Sequence, residues 1–278
     1  MLKLDHFASV FRAADKDIIS IPKYTLSKVL LVTDVSHEKS IEIWKRWEAL
    51  FFQNVEVTIL HGEESKDISL ITQKVDASRC DLIISYRCLH SENWQYPHAI
   101  GSYVEVITQL TSTPVLLMPH ILEDTQEYAP PESIILISDD LTKEAELLGW
   151  ACSFRGHKSR YTLVELENLA HFNRMLDAIA KIPQIDTEIA QEKIMSQLQK
   201  DSQEWVERSQ ALLEEWDRSP SLSRTQIAQS CMSSCVELVE KEKAELIVLN
   251  TKDEDQLAIH GLVYPFMVQF RHIPLLLR

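Results

Sequence analysis

Three side chains in one stretch of the sequence could bind a metal ion, and a nearby serine could act as a nucleophile. Cys88, His90 and His98 offer sulfur and nitrogen ligands, but zinc sites do not use the Cys-x-His-x7-His spacing, and no fourth ligand is evident. Ser102 has no His–Asp pair suggested by the sequence, and a serine in this position is better explained as the N-cap of a helix. We therefore expect no metal site, and the sequence establishes no catalytic residue.

Cysteine usage and the terminal segment indicate the compartment. The five cysteines form an odd set without paired spacing, which is typical of a reducing environment. Cys231 and Cys235 are spaced to share one helix face, where two small apolar residues facing a core are more common than a redox pair. The N-terminal stretch is too polar for a signal peptide, and no apolar run reaches the roughly 18 residues of a membrane span. We expect a cytoplasmic protein without a membrane partner.

Charge and composition limit the partners further. The formal net charge of −14 repels polyphosphates at long range, so we expect no nucleic-acid partner. A hydrophobic content of 45% and a charged content of 25% are typical of a globular protein. A chain of 278 residues can form two domains, each with its own core.

Strands and helices alternate in the first half of the sequence. Short apolar runs predict the strands, and stripes of apolar residues at helical spacing predict the helices between them. The predicted strands are Lys28–Asp34, Val55–His61, Asp81–Ser85 and Val115–Met118, and the predicted helices are Glu38–Phe52, Ile68–Ser78 and one that opens at Gly101-Ser102. Alternating elements with short connections predict a parallel sheet with right-handed crossovers.

The second half repeats this order with an insertion. The predicted elements are strands at Ser133–Asp139, Tyr161–Leu166, Glu245–Asn250 and Pro274–Leu277, with a helix at Gly261–Phe270. The second copy is about 55 residues longer than the first, and we assign this length to the strand at Tyr161–Leu166 and to a long helix. The apolar stripe of that helix is Met195, Leu198, Ser202, Trp205, Ser209, Leu212 and Trp216. The first copy is therefore predicted to lack one strand–helix unit.

The repeat also predicts the division of the chain. Residues 1–25 form an N-terminal arm, and residues 26–122 form a shortened first domain. Residues 123–132 are acidic, contain Pro130-Pro131 near their end and form the linker. Residues 133–278 form the second domain.

One combination of features resembles the universal stress protein family. An apolar strand ends at Asp34, a later strand leads into a polar loop, and Gly101-Ser102 opens the next helix. The resemblance covers nearly all of residues 28–119 and 133–278 and implies two tandem α/β domains of the adenine nucleotide alpha hydrolase-like kind, with parallel sheets flanked by helices. It also implies that Asp34 contacts the adenine end of ATP or AMP. Gly101 and Ser102 would close a Gly-x2-Gly-x9-Gly-Ser/Thr loop around the phosphates.

The loop departs from the family pattern at its first two glycines. Counting back from Gly101 places them at Cys88 and Ser91, and counting forward from the strand places them at Tyr86 and Leu89. A Cβ at either pair restricts φ and occupies space that a phosphate needs. The second copy has Asp139 at the position of Asp34, but its loop carries Asp253, Glu254 and Asp255, and Leu262 follows Gly261. We predict that ATP binding is weak or absent, and that any binding lies in the first copy.

The resemblance also implies how the copies meet. The terminal strands of such domains pair with each other, so Val115–Met118 should pair with Leu275–Leu277. The two copies would then form an internal pseudo-dimer, and a homodimer of the whole chain stays open. The predicted function is a stress-response or regulatory module with a degenerate nucleotide site. The alternatives are an ATP-binding switch that uses the first copy, and a scaffold whose long helix binds a protein partner.

Overall fold

The computed structural model describes residues 19–51, 54–96, 98–122, 126–154, 159–167, 169–182, 184–216, 221–228, 232–251 and 263–278. The strands are β1 Lys28–Val32, β2 Glu56–Leu60, β3 Leu82–Tyr86, β4 Val115–Met118, β5 Ser133–Ser138, β6 Arg160–Glu167, β7 Ser221–Ala228, β8 Leu246–Leu249 and β9 Leu275–Leu277. The helices are α1 His37–Trp47, α2 Ile68–Ser78, α3 Ser102–Leu110, α4 Ala145–Ser153, α5 Leu169–Ile179, α6 Thr187–Glu214, α7 Met232–Glu242 and α8 Val263–Gln269. Short 3₁₀ turns lie at Glu48–Leu50, Gly62–Lys66, Glu92–Gln95 and Leu141–Lys143.

A nine-stranded sheet in the order β2-β1-β3-β4-β9-β8-β5-β6-β7 runs through the described chain. Every neighbouring pair of strands is parallel except β4 and β9. β1, β3 and β4 are buried along almost their whole length, because parallel strands covered on both faces carry continuous apolar runs. The predicted α/β fold, with mostly parallel strands flanked by helices, is confirmed.

The observed strand ends differ from the predicted ends by a residue or two, and two differences affect the site. β1 ends at Val32, so Asp34 lies in the turn that follows the strand. β3 extends to Tyr86, which the prediction placed in the loop, and the Tyr86 side chain is fully buried. The sheet therefore brings Tyr86 and Asp34 to the same edge.

A carboxylate fixes the start of the first strand in each half of the sheet. Asp81 accepts hydrogen bonds from the backbone N–H groups of Ser27 and Lys28, both at 2.8 Å. Glu245 accepts from the backbone N–H of Ser133 at 3.3 Å, at the equivalent place in the second half. Burial alone would raise the pKa of Asp81, but the hydrogen bonds from Ser27 and Lys28 lower it below its ordinary value.

The two halves of the sheet join at β4 and β9. Val115 pairs with Leu277, Leu116 with Leu276 and Leu117 with Leu275, and these side chains are at most 1% exposed. The pairing that we predict for these strands is confirmed. The division into domains at residues 1–25, 26–122, 123–132 and 133–278 stays a prediction.

Among the strands of the described residues, β7 is the one that the sequence did not predict. It pairs with β6 along eight residues, from Arg160↔Ser221 to Glu167↔Ala228. A polar cluster holds the two strands together: the Glu165 carboxylate accepts from Arg224 and from Gln226 Nε2, the latter at 3.1 Å. Ser202 Oγ on α6 donates to the same carboxylate at 2.7 Å. Because the sequence of β7 is largely polar, a search for apolar runs does not detect this strand.

The long helix α6 buries only its C-terminal half. Ser202, Trp205 and Ser209 are buried as the stripe predicts. Leu198 is 51% exposed, so the stripe is wrong towards the N-terminal end of the helix. Trp216 lies two residues beyond the end of the helix but still packs against the core. The apolar spacing continues into the N-terminal half of α6, but no residue of α6 before Ser202 is buried, so this half of the helix does not pack closely against the core.

Residues 19–27 cross from β1 to the second half of the sheet. The Tyr24 ring stacks on the Trp150 ring of α4, with centroids 4.2 Å apart. Gly149 permits this contact because a Cβ there would lie 2.4 Å from the Pro22 carbonyl oxygen. The rest of the predicted N-terminal arm, residues 1–18, lies outside the described residues.

Candidate functional site

Asp34 lies at the carboxyl edge of the first half of the sheet, where it is bonded by two residues of its own chain. The Tyr86 hydroxyl donates to one carboxylate oxygen of Asp34. The backbone N–H of His90 donates to the other oxygen at 2.8 Å. The Asp34 N–H also donates to the Tyr86 hydroxyl oxygen at 3.0 Å. The residue predicted to contact adenine therefore has both carboxylate oxygens engaged within the protein.

The Tyr86 hydroxyl must carry its proton to donate to Asp34, and its surroundings favour the protonated form. Burial raises the pKa of Tyr86 above its ordinary value, and the neighbouring Asp34 carboxylate raises it further. The phenol therefore stays protonated at neutral pH and keeps its proton for Asp34.

His90 is held by a second set of bonds on its ring. Ser65 is fully buried, and its hydroxyl donates to the Thr33 carbonyl oxygen at 2.6 Å. His90 Nε2 lies 2.7 Å from the same hydroxyl oxygen, so the ring nitrogen is the donor in that contact. Burial lowers the pKa of His90, and the Asp34 carboxylate opposes this shift in part. A neutral His90 and a committed Ser65 hydroxyl form a structural contact, since the buried serine is inaccessible to a substrate.

Gly101 packs against the backbone of the loop and leaves no open cradle there. Its φ is 96°, and a Cβ at this position would lie 2.7 Å from Cys88 Cα. The Cys88 N–H donates to the Ile100 carbonyl oxygen at 2.7 Å, directly beside this contact. The glycine is required for close packing of two protein segments.

The loop adopts glycine-like conformations without glycine. Cys88 and His90 both have a φ of 57°, in the left-handed region. Counting back from Gly101 places the expected glycines at Cys88 and Ser91. Cys88 has the left-handed backbone that glycine favours, but Ser91, with a φ of −137°, does not. Ser102 is exposed and is the first residue of α3, so its assignment as the N-cap is wrong by one position: Gly101 is the N-cap.

Aromatic rings cover the loop. The Trp94 and His120 rings stack with centroids 5.1 Å apart and planes 6° apart. The Tyr86 ring meets the His120 ring edge-on at 5.6 Å. His120 is 5% exposed and follows β4, so these contacts fasten the loop after β3 to the end of β4.

The cysteine and histidines of this stretch are not arranged as metal ligands. Cys88 is buried, with Sγ 3.6 Å from the Ala99 carbonyl oxygen, whereas His98 is exposed. Among the residues that the structure describes, no three His, Cys, Asp or Glu side chains converge as a metal ion would require.

The equivalent edge of the second half carries a buried carboxyl group. Ser138 Oγ donates to the Glu144 carboxylate at 2.8 Å, where the first half has a contact of 2.6 Å between the Thr33 and Ser40 hydroxyls. Burial raises the pKa of Glu144. Asp139, the counterpart of Asp34, is exposed in the bend after β5. Gly261, Leu262 and the acidic loop residues Asp253, Glu254 and Asp255 lie outside the described residues, as does Cys231.

Sequence reasoning missed the residues that close the site. The sequence analysis treats Tyr86 and His90 only as a missing glycine or as a metal ligand, assigns His120 no chemistry and does not consider Trp94. The signal for Tyr86, His90 and Trp94 is the concentration of aromatic and histidine residues in the loop from Tyr86 to His98. Within the part of the chain described, no helix combines the length and apolar character that crossing a membrane requires.

Comparisons with known proteins bear on the fold. No protein-family model matches the sequence, and no curated protein matches it. The structure is similar to that of a protein of unknown function from Pseudomonas aeruginosa PAO1, with a TM-score of 0.54 and 11% identity over 91% of this chain and 92% of that chain. It is also similar to a universal stress protein from Archaeoglobus fulgidus DSM 4304, with a TM-score of 0.51 and 9% identity over 92% of this chain and 97% of that chain. The resemblance to the universal stress proteins is thus confirmed at the level of the fold, which this chain shares along most of its length.

Proposed function

We propose that the protein is a cytoplasmic regulatory module of the universal-stress type whose first nucleotide site is closed by its own side chains. The observation that carries the proposal is the double engagement of Asp34 by the Tyr86 hydroxyl and the His90 N–H. The fold that the chain shares with a universal stress protein supports a stress-response role within this proposal.

The energetics favour the closed site. Adenine would have to compete with these two donors for the Asp34 carboxylate, and a hydrogen bond to a charged group contributes about 1.5–3 kcal/mol. Losing both would lower the affinity for a nucleotide by roughly a hundredfold or more, since about 1.4 kcal/mol is a factor of ten. Opening the site would also leave the buried Tyr86 hydroxyl without its acceptor.

The packing of the loop also disfavours nucleotide binding. Phosphate recognition needs several backbone N–H groups that converge on one anion. The His90 N–H points at Asp34, and the Cys88 N–H is bonded to the Ile100 carbonyl. These two donors are committed within the protein.

The same proposal treats residues 26–122 and 133–278 as tandem domains, joined by residues 123–132 and preceded by the arm at 1–25. The antiparallel pairing of β4 with β9 supports an internal pseudo-dimer of the two domains. The matching roles of Asp81 and Glu245 at the first strand of each half support a common ancestry for the two domains.

The experiment is analysis of the nucleotide content of purified protein. The protein is denatured, and the supernatant is examined by mass spectrometry for ATP and AMP. We expect no stoichiometric nucleotide, because the Asp34 edge is already filled. Stoichiometric ATP or AMP in the wild-type supernatant, lost from an Asp34→Asn variant, would overturn the proposal in favour of the nucleotide switch.

A specific observation favours a scaffold role as a second candidate. Ile182, Ile185 and Ile189 are 45%, 42% and 51% exposed around the start of α6. Exposed clusters of large apolar side chains are typical of interaction surfaces. A partner recovered with wild-type protein should be lost when all three are replaced by serine, and it should be retained by Leu110→Ser, a substitution at an exposed leucine of α3. Equal recovery by both variants would exclude this surface.

A further inference from the structure

The outer edge of β2 is uncovered in the described structure. β2 stands at the end of the strand order and pairs with β1, whereas its counterpart β6 lies between β5 and β7. The counterparts are fixed by register, since β1 and β5 begin at the carboxylate-bound residues Lys28 and Ser133, which pair with Glu56 and Arg160. The first half therefore lacks the strand that covers this position in the second half.

Side-chain burial shows the effect of that missing strand. Tyr161, Leu163 and Val164 of β6 are at most 1% exposed. Val57 and Ile59 of β2 are only partly buried, although they pack against the same hydrophobic core. The strand also carries neither lysine nor proline, the residues that commonly protect a free edge from pairing.

The backbone of β2 presents its free groups at two residues. Glu56 N–H donates to the Ser27 carbonyl at 2.8 Å, and the Leu60 carbonyl accepts from Thr33 N–H at 2.9 Å, so these residues face β1. Because successive residues of a strand point their backbone groups in opposite directions, Val57 and Ile59 direct theirs outward.

An antiparallel pair of two such edges is self-complementary. Centred on Thr58, it sets Val57 opposite the partner's Ile59 and places outward N–H and C=O groups of both residues in register. It is also the register that pairs all five residues of β2, and Glu56 then faces the partner's Leu60. No like charges face each other, and half-buried apolar side chains cover one another.

We propose that the β2 edge is the contact between two copies of this chain, joined as an antiparallel pair across a twofold axis at Thr58. A twofold contact closes, because each copy uses its own β2 edge and no β2 edge remains for a third copy. Pairing β2 with the β7 edge of another copy would instead leave free edges and produce open chains. The sheet already contains one antiparallel junction of this kind, between β4 and β9. The two sheets would become one continuous sheet.

The sharpest test uses the residue on the twofold axis. Thr58 and the partner's Thr58 would form a non-hydrogen-bonded pair, with Cβ atoms about 5 Å apart, close enough for a disulfide after a small shift. Under mild oxidation with copper phenanthroline, Thr58→Cys should give a covalent dimer on a non-reducing gel. The matched control is Val57→Cys, which faces the partner's Ile59 and should remain at the wild-type background. A covalent dimer that is absent from Thr58→Cys, or equally abundant in Val57→Cys, would overturn the proposal.

Sedimentation of the unoxidised protein gives a second readout. Wild-type protein and Leu110→Lys should sediment as dimers, and Ile59→Lys should sediment as a monomer that retains its circular dichroism. A wild-type monomer that dimerises only after deletion of residues 1–18 would show that the chain's own N-terminal segment covers the edge, and would overturn the proposal. A dimer that survives Ile59→Lys would do the same.

Discussion

The Tyr86 hydroxyl donates to the Asp34 carboxylate and accepts from the Asp34 N–H, so one phenol satisfies both the side chain and the backbone of that residue. Under the proposed function, Tyr86 of β3 occupies the place where the resemblance puts a nucleotide. That proposal has consequences for stability as well as for binding.

Removing the hydroxyl with Tyr86→Phe should destabilise the protein. The substitution removes the donor to one oxygen of the part-buried Asp34 carboxylate and the acceptor of the Asp34 N–H, so we expect the free energy of unfolding to fall by about 2 kcal/mol. Denaturant unfolding measures this directly. Tyr96→Phe, at a tyrosine that is 66% exposed, is the matched control and should leave the free energy unchanged. Equal stability of the two variants would contradict the role given to the Tyr86 hydroxyl.

Gly149→Ala tests the crossing segment at residues 19–27. Within a helix, replacing glycine by alanine ordinarily stabilises a protein by about 0.5–1 kcal/mol. At this position the new Cβ would lie 2.4 Å from the Pro22 carbonyl oxygen and 3.2 Å from the Tyr24 ring. We therefore expect the opposite sign, a loss of about 1–3 kcal/mol on thermal unfolding. A gain in melting temperature would show that the segment does not pack here.

Glu144→Gln should flatten the dependence of stability on pH. Burial raises the folded-state pKa of Glu144, so the folded protein holds this proton more tightly than the unfolded chain. That contribution is complete below the ordinary carboxyl pKa and is lost as pH rises through the raised folded-state value. Glutamine keeps an acceptor for Ser138 without acquiring charge, so the variant should be at least as stable as wild type near neutral pH. Unfolding curves from acidic to neutral pH with identical slopes for both proteins would refute this.

Leu116→Pro should weaken the whole protein because β4 is central to the sheet. Leu116 pairs with Leu276 on one side and with Ile84 on the other, so a proline removes a ladder donor from a fully buried strand. We expect a loss of at least about 2 kcal/mol, observed as one cooperative transition at lower temperature. Ser112→Pro, at an exposed residue in the bend between α3 and β4, serves as the control. Unchanged melting of Leu116→Pro would count against the pairing of β4 with β9.

The central strands of this fold can be located from the sequence because they are buried on both faces. Val29 to Val32 and Leu82 to Ile84 are almost fully buried, and such runs are conspicuous without any knowledge of their neighbours. β7 escaped the same reasoning because Arg224 and Gln226 belong to a polar cluster whose acceptor, Glu165, lies about 60 residues earlier.

That Asp34, Gly101 and Ser102 form a site stays a prediction, and the sequence did not indicate the hydrogen bonds that surround Asp34. Asp34 and Gly101 were identified by their positions beside strands, but the bonds from Tyr86 and His90 to Asp34 join residues 52 and 56 positions apart. A spacing rule that asks for glycine also cannot anticipate that Cys88 and His90 adopt left-handed backbone angles. Packing against residues that are distant in the sequence holds Cys88 and His90 in these strained backbone angles, so a local sequence pattern cannot predict them.

Calorimetry with Mg-ATP on the wild-type protein tests the central claim most directly. With Asp34 closed by Tyr86 and His90, we predict no affinity stronger than about 1 mM, which corresponds to roughly 4 kcal/mol of binding free energy. Asp34→Asn should give the same trace as wild type. Micromolar affinity in the wild type that disappears in Asp34→Asn would contradict the account, because the nucleotide would then bind at Asp34 despite both internal donors.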